Sequence, residues 1–323
     1  MQIIVYGLGK IGKEFIEDID EIKEEADIEI VAVTDSYVQK EESDSRWNYI
    51  RPEQIADSQF DYIVVTPESY FDEIRASLFG YGIKEEKIKS IREFSGERGR
   101  YYCEICEKPI LRWRHFYGER ARARGQCPVC GSFHRHRFMY HVIKEYTHLL
   151  DGKEHSVLHF APELFSEKIK RLCGADEYIT ADIEEGRADV VADITNLQFE
   201  NQQFEYVICN HVMEHVANDK AAFRELKRVL KPDGMLIFSV PVNWDAATLE
   251  NENIISKEDR IKYYGQEDHV RYYGKDVVEK LRALGFDVQV LFSNELVNEE
   301  NIVKFGYPHD QYDDGAVFLC RIK

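Results

Sequence analysis

The chain has 323 residues, of which 44% are hydrophobic and 32% are charged, the balance of a globular protein with a hydrophobic core. At roughly 150 residues per domain, this length predicts about two domains. The formal net charge of -18 opposes general binding of nucleic acid or anionic membrane. No run of about 18 apolar residues occurs, and the first residues lack a secretory signal pattern, so we expect a cytoplasmic protein.

The first block, residues 1–95, has the alternating strand and helix pattern of a βαβ unit with a parallel sheet. Its opening strand, Gln2–Tyr6, leads into a loop with three glycines at the spacing of a dinucleotide-binding fingerprint: Gly7, Gly9 and Gly12. Asp35 closes the second predicted strand, about 20 residues past the last glycine, which suits recognition of a ribose hydroxyl. The block is thus predicted to be a Rossmann-like domain.

The ligand of this block stays open at this stage. Residues 1–95 make up about half of a full dinucleotide fold, and they also resemble short nucleotide-binding-like domains attached to enzymes of bacterial surface-glycan synthesis. We favour a structural role first, a nucleotide or nucleotide sugar second, and NAD(P) at Gly7, Gly9 and Gly12 last.

The second block, residues 96–140, shows almost no helix or strand periodicity and cannot bury much apolar surface. It contains two CxxC pairs: Cys103, Cys106, Cys127 and Cys130. Two such pairs can direct four thiolates at one tetrahedral Zn²⁺, so the block is predicted to be a structural zinc ribbon. Four nearby histidines are interpreted as surface or interface residues rather than as further ligands: His115, His134, His136 and His141.

The same block is rich in arginine between Arg98 and Arg137, in contrast to the acidic chain around it. One hypothesis makes four of these residues a platform for an anionic substrate: Arg112, Arg114, Arg135 and Arg137. The alternative, which we favour slightly, is that the arginines solvate a small domain and pair with acidic neighbours.

The third block, residues 141–323, predicts an α/β fold. Its predicted strands are listed here by their extent: 157–160, 179–181, 190–192, 206–209, 235–240, 286–292 and 316–322. An amphipathic helix is predicted over Asp219–Leu230 and another near Lys275–Leu284, each ended by a glycine. From residue 153 onward, the order of elements and the segment Asn210–Val216 resemble the class I S-adenosylmethionine-dependent methyltransferase family. The resemblance implies a Rossmann-like domain with an antiparallel hairpin at one edge of its sheet.

The resemblance also implies which residues contact the cofactor S-adenosylmethionine. The loop after the first strand of the block has Ala161 and Pro162 where the family has glycines, and its acid is Glu163. Asp182, at the end of the next strand, suits both ribose hydroxyls, with a turn acid as the alternative. Asp193 matches the acid that meets the adenine amino group, with a helix N-cap as the alternative. The predicted cofactor residues are Phe160, Ala161, Glu163, Asp182, Asp193 and Asn210.

Methyl transfer to a hydroxyl or a carbon acid requires a base, because the pKa of such an acceptor is far above 7. Three residues follow the strand that ends near the expected methyl group: His211, Glu214 and His215. We predict that His215 or His211 is the base, with Glu214 as its orienting partner, and a structural role for either histidine is an equal alternative. His269 and Arg271 could reach the same place from a later loop.

A Rossmann-like block, a zinc ribbon and a methyltransferase domain together resemble sugar methyltransferases of glycan biosynthesis, although their domain order differs. The prediction is therefore methyl transfer to a sugar, a nucleotide-linked sugar or another small metabolite. Two rival functions are a non-catalytic scaffold or nucleic-acid-binding protein that uses the ribbon, and an NAD-dependent oxidoreductase that uses the first block. The sequence leaves the oligomeric state open.

Overall fold

The computed structural model describes residues 1–37, 46–115, 124–174, 177–309 and 315–322, except for the side chains of Glu25, His115 and Arg124. The chain divides into two compact units. The first comprises Met1–Tyr102 and Lys108–Arg114, and the second comprises Cys103–Glu107 and His115–Lys323. Among the described residues, no helix is both long enough and apolar enough to cross a membrane.

The first unit is built on a parallel four-stranded sheet in the order β2-β1-β3-β4. Its main elements are β1 (Gln2–Tyr6), α1 (Lys10–Ala26), β2 (Glu29–Thr34), β3 (Tyr62–Val65), α2 (Phe71–Gly80), β4 (Ile88–Ser90) and α3 (Ile91–Arg98). Helix α1 buries Phe15, Ile19 and Ile22 against one side of the sheet, as the helical spacing predicts, but Ile11 is half-exposed. The predicted Rossmann-like sheet is thus observed.

The glycine loop of this unit is held by Asp35. One oxygen of its carboxylate accepts a 2.7 Å hydrogen bond from the Leu8 backbone N–H, and the other accepts one from Tyr37. Gly7 has a φ of 105°, and a Cβ on Gly12 would lie 1.8 Å from the Gly7 carbonyl oxygen. These glycines are therefore required by the tight path of the backbone, whether or not a nucleotide binds there.

Four short strands and one helix follow: β5 (Tyr101–Cys103), β6 (Lys108–Ile110), β7 (Arg114–His115), β8 (Arg124–Gln126) and α4 (His134–Tyr146). The strands pair as β5 with β6 and β7 with β8. Helix α4 corrects the prediction that residues 96–140 lack helical periodicity, because it begins inside that block. Its buried face contains polar residues such as His136 and Arg137 beside Phe138, which hides the apolar period from a reading of the sequence.

The second unit holds a seven-stranded sheet in the order β11-β10-β9-β12-β13-β17-β16. Its first elements are β9 (Ser156–Phe160), α5 (Ser166–Leu172), β10 (Glu177–Asp182), β11 (Val190–Val191), β12 (Phe204–Asn210), α6 (Asp219–Val229) and β13 (Leu230–Ser239). The rest are β14 (Val242–Asn243), α7 (Lys257–Tyr264), β15 (Tyr273–Gly274), α8 (Val277–Ala283), β16 (Phe286–Phe292), α9 (Ser293–Leu296), α10 (Glu299–Phe305) and β17 (Ala316–Ile322). The predicted α/β fold is confirmed.

Strand β17 runs antiparallel to both β13 and β16, which confirms the predicted edge hairpin. Strands β9 to β13 pair in parallel, so their carboxyl ends meet at one edge of the sheet. The strand order reverses between β9 and β12, and open α/β sheets bind their ligands at such a reversal. Strand β13 already begins at Leu230, earlier than predicted, and a register shift accommodates the turn residues that follow.

Candidate cofactor and catalytic site

The loop after β9 replaces the expected glycine with an alanine in a glycine-like conformation. Ala161 has a φ of 46°, in the left-handed region that side chains rarely occupy. Its backbone N–H donates a 2.8 Å hydrogen bond to the Ala181 carbonyl, which ties the loop to β10. The loop therefore keeps the backbone path that a glycine normally permits, and it holds a strained residue at the reversal of the sheet.

Glu163 lies in the same loop and is largely buried. Asn210 Nδ2 donates a 2.9 Å hydrogen bond to Glu163 Oε2, and Ser239 Oγ donates to Asn210 Oδ1. Burial raises the pKa of Glu163 to about 7, although the Asn210 hydrogen bond acts in the opposite direction. The predicted cofactor residues Glu163 and Asn210 thus contact each other, and a ligand would meet them as one network.

His136 of α4 is a neighbour of Glu163 that the sequence did not predict. The Phe133 backbone N–H faces His136 Nδ1, so the neutral ring carries its proton on Nε2, 3.4 Å from Glu163 Oε1. Burial lowers the pKa of His136 to about 2, which keeps the ring neutral. No pattern in the sequence relates these two residues, since the contact depends on where α4 packs.

The two acids of the neighbouring strands lie at the same edge of the sheet. Asp182 ends β10, is half-buried, and accepts a 2.8 Å hydrogen bond from the Glu184 N–H through Oδ1. Asp193 is exposed and accepts hydrogen bonds from both the N–H and the hydroxyl of Thr195, which lower its pKa. The chain turns after Asp193 without entering a helix, so the N-cap alternative is wrong.

The three predicted catalytic residues separate into two groups. His211 follows β12 with a φ of 51°, and its Nδ1 lies 3.2 Å from Oε1 of the buried Glu214. His215 turns elsewhere: its Nδ1 lies 3.1 Å from Asp268 Oδ2, and its ring meets that of His269 edge to face. The two histidines therefore meet different partners.

Arg271 does not act as a substrate ligand in this structure. Its side chain is fully buried, and its guanidinium donates to the carbonyls of Met213, Val216 and Ala217. It also pairs with Glu250 at 2.8 Å. Arg271 therefore fixes the turn that carries Glu214 and His215, and the suggestion that it reaches into the site is corrected, because its donors are directed at backbone carbonyls and at Glu250.

The four cysteines of the CxxC pairs come together in the second unit. The Sγ atoms of Cys103 and Cys130 lie 3.7 Å apart, and those of Cys106 and Cys127 lie 3.8 Å apart. Four thiolates at about 2.3 Å from a tetrahedral Zn²⁺ would be roughly 3.8 Å from one another. The sulfur atoms are too far apart for disulfides, whose S–S bond is about 2.05 Å. The donor set and its spacing thus fit a structural zinc ion.

Comparisons with known proteins agree with the second unit's fold. Residues 155–238 match the model of the family described as "Methyltransferase domain". The match begins just before β9 and ends within β13 of the second unit. The chain therefore carries an S-adenosylmethionine-dependent methyltransferase domain, and the strand order of its sheet is that of the class I fold. Residues 1–89 match a second family, described as "C2185-like, N-terminal".

Individual relatives cover parts of the chain. An uncharacterized protein of Methanocaldococcus jannaschii is 28% identical over 122 residues, which are 36% of this chain and 57% of that protein. The demethylmenaquinone methyltransferase of Mycobacterium tuberculosis is 36% identical over 75 residues, which are 22% of this chain and 32% of the enzyme. The chain thus spans about half or less of these relatives' lengths.

Among solved structures, the chain is similar to the 1,6-didemethyltoxoflavin-N1-methyltransferase of Burkholderia thailandensis, which was crystallised with its substrate and S-adenosylhomocysteine. The identity is 14%, the TM-score is 0.37, and the match covers 58% of this chain and 78% of that one. A similarity at this level carries no information about the acceptor.

Two buried cations attach the cysteine cluster to the methyltransferase domain. Lys168 Nζ of α5 donates to the carbonyls of Glu104 and Ile105, and it pairs with Glu107 at 2.7 Å. Arg137 of α4 is fully buried and donates to four carbonyl oxygens, those of Gly125, Ser132, Phe305 and Gly306. The loops around the cysteines are therefore held by the core of this domain.

The hypothesis of an arginine platform is wrong for three of its four members. Arg137 binds carbonyls, Arg112 is buried and pairs with Asp18 and Glu21, and Arg114 pairs with Glu14. Only the contacts of Arg112 and Arg114 match the alternative of acidic neighbours, and the buried Arg137 meets carbonyls instead, because a guanidinium in the interior requires acceptors for its five N–H groups. Arg135 stacks over the Phe133 ring, 5.0 Å from its centroid. The side chain of His115 lies outside the described residues.

Proposed function

We propose that this protein transfers a methyl group from S-adenosylmethionine to a small metabolite, with a sugar or nucleotide-linked sugar as the acceptor class. The observation that carries the cofactor assignment is the hydrogen bond from the left-handed Ala161 to the carbonyl of Ala181, the residue directly before Asp182, which brings the loop next to that acid. The backbone at Ala161 permits close approach of a ligand, and Asp182 offers a carboxylate to two vicinal hydroxyls.

When bound, S-adenosylmethionine supplies a methyl group that its sulfonium already activates. The chain must bind it, align an acceptor and exclude water. Phe160 and Ala161 would lie along the cofactor, Asp182 would accept its ribose hydroxyls, and Asp193 would meet the adenine. Glu163 and Asn210 form a hydrogen-bonded pair beside this path, so they would position the loop and contact the amino-acid part of the ligand.

His211 is the base that the geometry supports best. Because Glu214 accepts hydrogen bonds through its carboxylate, the His211 proton lies on Nδ1, facing Oε1 at 3.2 Å, and Nε2 carries the lone pair. An imidazole held in this tautomer by a carboxylate can take the proton of an acceptor hydroxyl as its oxygen attacks the methyl carbon. His215 is directed at Asp268 and His269 instead, so we assign it a different role.

The four cysteines are proposed to hold a structural Zn²⁺. Four protein thiolates complete a tetrahedral shell, so no coordination position remains for a substrate. The ion would order loops whose carbonyls receive Lys168 and Arg137. Its role is thus to stabilise the segment beside α4 and α5 rather than to take part in methyl transfer.

Calorimetric titration with S-adenosylmethionine and with S-adenosylhomocysteine tests the cofactor assignment. We expect micromolar binding to the protein, and a loss of at least about tenfold in Asp182→Ala, because two hydrogen bonds to a charged group disappear. Asp233→Ala is the matched control, since Asp233 is exposed and lies near the start of β13, at the opposite end of the sheet from Asp182. Absence of binding at millimolar ligand in a folded protein would contradict the proposal and favour a scaffold.

The acceptor class requires a separate test. Transfer of labelled methyl from S-adenosylmethionine is measured with a panel of nucleotide sugars, free sugars and quinones, and we expect label in a sugar fraction. Cofactor binding with label found only in a non-sugar acceptor would leave the methyltransferase proposal intact and overturn the sugar assignment. His211→Ala should abolish transfer to the acceptor while cofactor affinity stays within about threefold.

A further inference from the structure

We propose that Glu214, His215 and His269 form a second metal site, distinct from the four cysteines, that binds a divalent transition-metal ion. One ligand atom from each of these residues lies within 4.8 Å of the others. Side-chain rotations can bring such a cluster to a common ion at about 2.1 Å, the usual distance for imidazole nitrogen and carboxylate oxygen. Two imidazoles and one carboxylate are a donor set that suits zinc, iron or cobalt.

The outer contacts of the two histidines indicate which nitrogen of each ring would coordinate an ion. His269 Nδ1 lies 3.0 Å from the Tyr264 carbonyl oxygen, which can only accept, so the ring proton is on Nδ1. His215 Nδ1 faces the Asp268 carboxylate at 3.1 Å, with the same consequence. Each neutral ring therefore carries its lone pair on Nε2. A carbonyl or a carboxylate behind each ligating histidine is the usual arrangement in metal centres.

The carboxylate of the cluster is compatible with both the base and the metal. Glu214 Oε1 faces His211 Nδ1, and we assign the other oxygen, Oε2, to the ion. Glu214 is 2% exposed and His269 is 3% exposed, so burial of a carboxylate here is costly unless cations or donors accompany it. A divalent ion would offset that cost at the place where the two histidines converge.

The backbone around the cluster is fixed before any ion binds. The Val270 N–H donates a 2.9 Å hydrogen bond to the Glu214 carbonyl, which joins the two ligand-bearing segments. Arg271 binds carbonyls on both sides of the turn that carries Glu214 and His215. The three ligands therefore approach from two segments that are held in register, which lowers the entropy cost of assembling the site. With three protein ligands, coordination positions remain for water or an acceptor oxygen.

The test is a Co²⁺ titration of protein whose cysteines are already loaded with zinc, in the absence of S-adenosylmethionine and any acceptor. We expect one equivalent of Co²⁺ to bind with visible ligand-field absorption and without the sulfur-to-cobalt charge-transfer band that exchange at the cysteines would produce. His215→Ala and His269→Ala should each weaken this binding at least about a hundredfold. Asp268→Asn, which removes the outer carboxylate, should weaken it about ten- to a hundredfold.

His309→Ala serves as the matched control, because His309 is an exposed histidine that pairs with Glu299 outside the cluster. It should bind Co²⁺ as the unaltered protein does. Circular dichroism identifies a misfolded variant, and the exposed Asp268 keeps the proposal testable if the buried His269 cannot be replaced. The proposal would be overturned if no Co²⁺ bound beyond exchange at the cysteines. It would also be overturned if folded His215→Ala and Asp268→Asn bound Co²⁺ with the affinity of the unaltered protein. Because the readout is metal binding, the outcome is independent of the proposed methyl transfer.

Discussion

Asn210 Nδ2 donates a 2.9 Å hydrogen bond to Glu163 Oε2, so the residue that ends β12 holds the acid of the loop after β9. Ser239, which ends β13, fixes the amide of Asn210 in turn. The carboxyl ends of three parallel strands are thus joined through the Asn210 amide and the buried carboxyl group of Glu163, at the edge where the cofactor is proposed to bind.

Replacement of that carboxyl group should alter how stability depends on pH. Burial raises the pKa of Glu163 to about 7, so the folded protein holds a proton that the unfolded chain releases near its ordinary pKa. This stabilising contribution is complete below about pH 4.5 and is lost as the pH rises through about 7. Between those values, the free energy of unfolding of the unaltered protein should fall by on the order of 3 kcal/mol relative to that of Glu163→Gln.

Urea unfolding at a series of pH values measures this difference, and the exposed Glu167→Gln serves as the control. If the stability of the unaltered protein and that of Glu163→Gln changed with pH in parallel, the raised pKa of Glu163 would be wrong. The neutral His136 makes the opposite contribution at acid pH, because its pKa is lowered, but it is present in both proteins.

Ala161→Gly should leave cofactor binding intact. A left-handed alanine costs about 1–2 kcal/mol, and the glycine relieves that cost while it adds flexibility to the unfolded chain, so the free energy of unfolding should change by less than about 1 kcal/mol. Ala161→Val should destabilise the fold by about 1–3 kcal/mol and weaken S-adenosylmethionine binding at least tenfold. Thermal unfolding and calorimetry measure both effects, and full cofactor affinity in the valine variant would disprove the close approach.

Arg271→Lys should destabilise the protein although it preserves the charge. The planar guanidinium reaches three backbone carbonyls and Glu250 from a fully buried position, and one ammonium cannot replace those directions. We expect the free energy of unfolding, measured with urea, to fall by about 3 kcal/mol, since buried acceptors are left without donors. Arg282→Lys, at an exposed position of α8, is the control and should be near neutral. Equal stability of the two variants would argue against the structural role of Arg271.

Cys127→Ser should release the zinc ion and destabilise the second unit. Lys168 and Arg137 donate to carbonyls of the loops that the cysteines organise, so disorder there also removes acceptors from two buried cations. The zinc content, measured by atomic absorption in a His215→Ala background that lacks the second proposed site, should fall from one equivalent to near zero, and thermal unfolding should begin several degrees lower. The control is Val129→Ala, because Val129 is an exposed residue between Cys127 and Cys130, and this variant should retain the metal. Retention of a full equivalent by Cys127→Ser would contradict a four-thiolate site.

Local patterns were enough for much of the fold. Strand β1 and strand β16 were predicted to the residue, because the apolar run of β1 and the alternating apolar residues of β16 both follow the patterns of a strand. The four cysteines were recognised as one cluster, since the spacing within each CxxC pair depends only on neighbouring residues. Asp182 and Asp193 were placed at strand ends for the same reason.

The contacts between distant segments could not be read in this way. Helix α4 was missed because its buried face includes His136 and Arg137, whose partners lie far along the chain. The acceptors of Arg137 include the carbonyls of Phe305 and Gly306, and no local pattern indicates such a distance. The arginine-rich segment was therefore interpreted as a surface, whereas some of its arginines lie in the interior of the protein.

The sequence by itself determined the types of element, the cluster of four cysteines and the acids at the strand ends, since each depends on the period or spacing of neighbouring residues. Only the tertiary structure decided which side chains meet. It paired His211 with Glu214, and it directed His215 to His269 and Asp268. The physical reason is that side-chain contacts depend on strand order and on the packing of loops over the sheet, which arise from the whole chain rather than from any one segment.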